Sequence, residues 1–109
     1  MSARIKVTRS SGNVFADLGR PQPEEALAKA RLAYEIEQSI RKRGLTQAEA
    51  AKILGIDQPK VSALRNGRLS GFSVERLIRF LNALNRDVEI VVSEKPRSRR
   101  RGRLVVRAA

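Results

Sequence analysis

The chain has 109 residues, enough for one small domain with flanking segments. Its 23 Lys and Arg against 11 Asp and Glu give a net charge of +12, which favours a polyanionic partner: DNA, RNA or an acidic membrane surface. The sequence contains no Cys and no His, so disulfides, thiolate metal sites and histidine catalysis are excluded, and we predict no enzyme, cofactor or metal. No apolar run exceeds three residues, so we expect a cytoplasmic protein with neither a membrane span nor a secretory signal.

Residues 1–22 are predicted to form an N-terminal arm. Residues 4–7 alternate charged and apolar side chains, which is compatible with a short strand or with a disordered arm. Val14, Phe15 and Leu18 precede Gly19, and we expect these three apolar residues to dock on a helical core.

A first long helix is predicted from about Pro23 to Lys42. Gly44 can end it in a left-handed turn. Its apolar face is predicted to comprise Leu27, Ala30, Leu32, Tyr34, Ile36 and Ile40.

Three shorter helices are predicted to follow, each preceded by a side chain that can cap it. Thr46 to Glu49 has the pattern of a capping box, and the second helix ends at Gly55. Asp57 can cap a third helix from Gln58 to about Asn66. Ser73 can cap a fourth, whose apolar positions are Val74, Leu77, Ile78, Leu81 and Leu84.

Asp87–Val92 is predicted to be a strand, with Val88, Ile90 and Val92 on one core-facing side. A single strand is not stable in water, so it needs a partner. That partner could be residues 4–7, residues 104–106, or the same strand of a second copy, and we favour the second copy.

Residues 93–109 are predicted to be a mobile basic tail, so the domain organisation is an arm (1–22), a helical domain with a strand (23–92) and this tail. Seven cations occur in the tail, with no acid between the first and the last of them: Lys95, Arg97, Arg99, Arg100, Arg101, Arg103 and Arg107. The tail could be a disordered solubilising end, could contact DNA phosphates or a minor groove, or could bind RNA. We favour the contact with DNA.

Residues 47–64 combine several requirements of two helices joined by a short turn. Their crossing point needs a small side chain, which Ala51 supplies, and the turn needs a positive φ, which Gly55 tolerates. A shared core is expected from Ala50, Leu54, Ile56, Val61 and Leu64. This block resembles the helix-turn-helix of phage-repressor-like regulators (the Cro/C1 or XRE class), and the resemblance covers about residues 44–84.

The resemblance implies a mainly α fold: a phage-repressor-like domain of four to five helices with a short C-terminal strand that pairs in a dimer. It also implies that the third helix lies in the major groove of double-stranded DNA, where Gln58 could bind adenine bidentately. The candidate DNA-contacting residues are Gln47, Gln58, Pro59, Lys60, Ser62, Ala63, Arg65, Asn66 and Arg68.

Within this set, Gln47 is expected to contact a phosphate, as are Asn66 and Arg68 in the following loop. Arg65 could reach a guanine or a phosphate. Pro59 departs from the phage-repressor pattern and offers only an apolar contact, such as one to a thymine methyl group. The alternative is that these side chains simply face solvent on a small helical bundle.

Three further stretches are similar to HigA-type antitoxins, the XRE-class partners of small RelE-like ribonuclease toxins. They are Ser11-Gly-Asn-Val-Phe-Ala-Asp-Leu-Gly19, Arg43–Glu49, and Phe72-Ser73 together with residues 87–92. This similarity implies a homodimer that binds a palindromic operator, represses its own operon and neutralises a toxin. The alternatives are a stand-alone XRE regulator and a charge-driven nucleoid or RNA-binding protein.

Overall fold

A computed structural model describes residues 23–109, and this part of the chain is mainly helical, with four helices. They are α1 (Pro23–Lys42), α2 (Gln47–Leu54), α3 (Gln58–Arg65) and α4 (Val74–Ala83). The predicted helices are confirmed, although α3 ends one residue before the predicted Asn66. The predicted docking of Val14, Phe15 and Leu18, and any pairing of residues 4–7, lie outside the described residues.

Local hydrogen bonds explain where the three short helices begin. Thr46 and Glu49 form the predicted capping box, in which the Thr46 hydroxyl accepts from the Glu49 amide (3.1 Å) and the Glu49 carboxylate accepts from the Thr46 amide (2.8 Å). The Asp57 carboxylate accepts from the Lys60 amide at 2.9 Å, and the Ser73 hydroxyl caps α4 in the same way. Each cap contributes about 1 kcal/mol. Because helices this short are marginal alone, packing must supply the rest.

The turn between α2 and α3 is closed by Gly55, which adopts the left-handed conformation with φ of 71°. The amides of Gly55 and Ile56 both donate to the carbonyl of Ala51, at 2.9 and 3.1 Å. Ala51 itself is buried, as a close contact between two helices requires. The predicted left-handed turn at Gly55 is therefore confirmed.

One hydrophobic core joins all four helices, and α1 packs against both α4 and α3. Its largest fully buried side chains are Ile36, Ile40, Val61, Leu64, Leu77 and Leu84. Burying a side chain of this size contributes about 1.5–3 kcal/mol, so these residues dominate the stability. Phe72 and Phe80 meet edge to face with ring centroids 5.9 Å apart, and the Arg76 guanidinium lies over both rings.

The end of α4 is tied to α1 by Arg86. Its guanidinium donates to the Glu35 carboxylate at 2.8 Å and to the hydroxyl of the buried Ser39 at 2.8 Å. The Ser39 hydroxyl in turn donates to the Glu35 carbonyl at 3.0 Å. These polar groups are thus satisfied beside the core, which keeps their burial from costing stability.

The predicted apolar face of α1 is wrong at three positions. Leu27 and Tyr34 are 65% and 56% exposed, and Ala30 is exposed as well. At about 100° per residue, Leu27 and Tyr34 lie roughly 160–180° around the helix from the buried Ile36, so they cannot share its face. Ala28 and Ala33 fill the corresponding places in the core instead.

The predicted strand is not formed within the single chain, because residues 23–109 contain no strand. Val88 packs against the core, but Ile90 and Val92 are 57% and 80% exposed rather than core-facing. A strand requires the backbone of a neighbour, and residues 87–95 make no backbone hydrogen bond with any described residue. The chain instead runs on to a turn at Pro96 and returns to the core at Val106.

Candidate nucleic-acid interface

The first turn of α3 presents three exposed side chains, those of Gln58, Pro59 and Lys60. Val61 and Leu64 of the same helix pack into the core. Ser62 and Ala63 lie half-buried on the following turn. These five candidates therefore share one short helix whose outer surface is open to a ligand as large as a DNA duplex.

The Gln47 side chain connects the first residues of α2 and α3. Its amide nitrogen donates to the backbone carbonyl of Gln58 at 3.3 Å, and the side chain is half-buried. An amide group has further donor and acceptor capacity, so Gln47 can bridge the two helices and still bind a phosphate. Two of the candidate DNA-contacting residues are thus brought together, by a contact that the sequence pattern did not indicate.

The loop after α3 uses one candidate residue to end the helix and exposes another. The side-chain amide of Asn66 donates to the carbonyl of Ser62 at 2.8 Å, and Gly67 continues the chain with φ of 76°. Arg68 donates its backbone amide to the Ala63 carbonyl at 2.9 Å, while the residue itself is exposed. Asn66 is exposed too, but its side-chain amide is engaged with Ser62, whereas no side-chain hydrogen bond engages the Arg68 guanidinium within the described residues.

Arg65 has a partner within the domain. Its Nε and Nη2 atoms donate to the two carboxylate oxygens of Glu37 on α1, at 2.7 and 3.1 Å. The Arg65 and Glu37 side chains are only 28% and 19% exposed, and Arg41 donates to the same carboxylate at 2.8 Å. A bidentate pair of this kind fixes the geometry of both partners, so it holds the end of α3 against α1.

This pairing stabilises the charged forms of both side chains. The hydrogen bonds from Arg65 hold the pKa of Glu37 below its usual value, against the opposing effect of burial, and the bond from Arg41 adds to the lowering. The same carboxylate raises the pKa of Arg65. The pair is therefore fully ionised at neutral pH.

The sequence pattern did not indicate two basic residues near α3. Lys52 and Arg76 line an open groove together with Lys60. The Arg76 guanidinium is held over the rings of Phe72, in the loop before α4, and Phe80, in α4 itself. No sequence motif predicts this contact. Within residues 23–109, no group of acidic side chains could hold a metal ion, and no helix is long and apolar enough to cross a membrane.

Comparisons with known proteins agree with this geometry. A family described as a helix-turn-helix domain matches residues 14–93. A solved structure of an XRE-family transcriptional regulator is 58% identical, with a TM-score of 0.76, and the alignment covers 82% of this chain and 100% of that one. No curated protein matches the chain.

We expect Glu37→Gln to lower the free energy of unfolding by about 1–2 kcal/mol at pH 7, because the half-buried Arg65 loses its charged partner. Since folding lowers the pKa of Glu37, the pair stabilises fully above the ordinary glutamate pKa of about 4.3. That contribution is lost as the pH falls through the lower pKa that Glu37 has in the folded protein. The free energies of unfolding of the variant and the wild type therefore converge below about pH 4. Urea denaturation at several pH values measures it.

Glu75→Gln is the matched control, because Glu75 pairs with Arg79 at 2.7 Å but both side chains are more than 70% exposed. Such an exposed pair contributes a few tenths of a kcal/mol. Equal losses for the two variants would contradict a structural role for the Glu37 pair.

Proposed function

The chain belongs to the XRE family of helix-turn-helix DNA-binding transcriptional regulators, and on that premise we propose that α3 is the recognition helix and that the protein represses its own operon. The observation that supports this most is the exposed first turn of α3, which the closed turn at Gly55 and the buried Val61 hold away from the core. In helix-turn-helix proteins, the start of the second helix reads base edges in the major groove.

In this proposal Gln58 binds an adenine through its amide, and Lys60 binds a guanine or a phosphate. Pro59, Ser62 and Ala63 supply shape and apolar contact along the groove. Gln47, Asn66 and Arg68 contact backbone phosphates, which position the protein without reading sequence. Because Arg65 is committed to Glu37, we assign it to holding α3 in place rather than to the DNA.

Gln58→Ala combined with Lys60→Ala should lower the ratio of the affinities for the operator and for a scrambled duplex by about tenfold or more, since one lost base contact costs about 1–3 kcal/mol. Competition binding with a duplex selected from a randomised library measures the preference. Gln38→Ala with Lys29→Ala, which removes the same side-chain types from α1, should leave it unchanged. If the α3 variant selects the same operator as wild type, α3 is not the recognition helix.

We further propose that the protein is a homodimer whose two copies pair through residues 87–92. Ile90, Val91 and Val92 form a contiguous apolar stretch that is 57–80% exposed, in a segment whose backbone makes no hydrogen bond with the described residues. Antiparallel pairing with a second copy would cover these apolar side chains and give the backbone hydrogen-bond partners. A two-fold axis there would set two α3 helices on half-sites about 34 Å apart, which implies a palindromic operator.

Ile90→Lys combined with Val92→Lys should convert the dimer to a monomer, because two cations would face their counterparts across the pair. Sedimentation equilibrium measures the mass. Leu27→Lys with Tyr34→Lys is the matched control, because it places the same charges on the exposed apolar face of α1. A control variant that dissociates while the 90/92 variant stays dimeric would move the interface to α1.

The similarity of residues 11–19, 43–49, 72–73 and 87–92 to HigA-type antitoxins supports a second role, the neutralisation of a RelE-like ribonuclease toxin. The exposed side chains of Leu27 and Tyr34 offer an apolar face on α1 for such a partner. A stand-alone XRE regulator without a toxin is the alternative, and it is equally consistent with the family. The two differ in whether a stoichiometric partner exists.

We expect the tagged protein, purified from nuclease-treated native cells, to retain a small ribonuclease encoded beside its own gene and to inhibit RNA cleavage by it. Mass spectrometry and a cleavage assay check this. Leu27→Lys with Tyr34→Lys should lose the toxin and keep operator binding. Operator binding with no stable partner would establish the stand-alone regulator instead.

A further inference from the structure

Half of the protein's charge lies outside the part that the family match explains. The match ends at residue 93, and residues 94–109 hold seven Lys and Arg against one acid, Glu94. Seven minus one leaves +6 of the total of +12. We call residues 95–107 the arginine segment. The helix-turn-helix fold does not require this charge, so it needs an explanation of its own.

The cations of the arginine segment have no acidic partners in the described part of the chain. The four salt bridges there belong to Arg41, Arg65, Arg79 and Arg86. Six of the segment's seven cations are exposed, and only Arg99 is half-buried. Closely spaced like charges repel one another, and a polyanion that neutralises them also releases the counterions of both molecules.

The arginine segment is a loop held near both ends rather than a free tail. Val88 and Val106 both pack against the core. Between them the chain turns at Pro96, whose carbonyl accepts a hydrogen bond from the Arg99 amide at 3.2 Å. Every cation of the segment lies within nine positions of one of these two valines, which limits its reach to about 30 Å. Such a tether keeps the cations close to the helical domain.

We propose that the arginine segment binds the phosphate backbone of duplex DNA beside the bases that α3 reads, and so adds affinity without adding sequence preference. The inference rests on the proposed DNA-binding function. The segment has no aromatic residue, whereas single-stranded RNA is bound largely by stacking on aromatic side chains. Arginine suits phosphate because its planar guanidinium can donate two parallel hydrogen bonds.

The test compares Arg100→Gln with Arg101→Gln against Lys29→Gln with Arg31→Gln, which removes the same charge from α1. Affinity is measured against NaCl concentration for a selected operator and for a scrambled duplex of equal length. If each arginine neutralises one phosphate, the log–log salt slope falls by about 1.8 for the segment variant. Affinity at 0.15 M salt then falls by about 30-fold on both duplexes, so their ratio stays constant. The α1 variant should keep the wild-type slope.

Arg99 is left unchanged because it is half-buried, and one of its terminal nitrogens is enclosed without a hydrogen-bond partner. Circular dichroism confirms that both variants keep their helices. Equal slopes for the segment and α1 variants would overturn the proposal, as would a change in the operator-to-scrambled ratio. A segment variant that loses affinity for an RNA hairpin but not for duplex DNA would also overturn it and assign the segment to RNA.

Failure of the proposed function has a separate signature. If the wild-type protein binds the selected and scrambled duplexes equally, α3 does not read sequence. The salt slopes on the scrambled duplex still decide whether the arginine segment contacts phosphates.

Discussion

The left-handed conformation of Gly55 lets two successive amides, those of Gly55 and Ile56, donate to the carbonyl of Ala51. This closure turns the chain between α2 and α3, which are joined by only the three residues 55–57. The exposure of Gln58 and Lys60 follows from it, because the turn decides which side of α3 is covered. A residue with a side chain at position 55 would have to adopt a conformation that costs about 1 kcal/mol or more.

α1 acts as the frame against which the other helices are held. It buries Ile36 and Ile40 completely, and beside that apolar face two of its carboxylates receive arginines from distant parts of the chain. Glu37 holds the end of α3, and Glu35 holds the segment that follows α4. The apolar contacts supply most of the stability, whereas bidentate hydrogen bonds accept only a narrow range of orientations. The direction of α3 is therefore fixed by both kinds of contact.

The features that the sequence predicted correctly are those that depend on near neighbours. The capping box at Thr46, the caps at Asp57 and Ser73, and the turn at Gly55 each require only residues within four positions of one another. This is why the helix boundaries agree so closely with the prediction. The family resemblance then located the candidate surface, which could not have been derived from composition or charge.

The features that the sequence did not predict depend on residues far apart or on a second molecule. Arg65 and Glu37 are 28 positions apart, so their pairing is invisible in one sequence. Tyr34 and Leu27 were placed in the core because apolar spacing alone does not say which of two possible faces is buried. The alternation in residues 87–92 is real, but a strand exists only when another backbone lies beside it.

The contact between Gln47 and the Gln58 carbonyl has one further electrical consequence. It places the first turns of α2 and α3 side by side, and each helix carries a partial positive charge of about one half at its first turn from the alignment of its peptide dipoles. These two contributions are absent from the formal charge of +12. They belong to the backbone, so they do not titrate and no side-chain substitution removes them. The carboxylates of Glu49 and Asp57 cap these same two turns and offset that charge, so attraction to phosphate at this edge of the domain depends on its lysines and arginines.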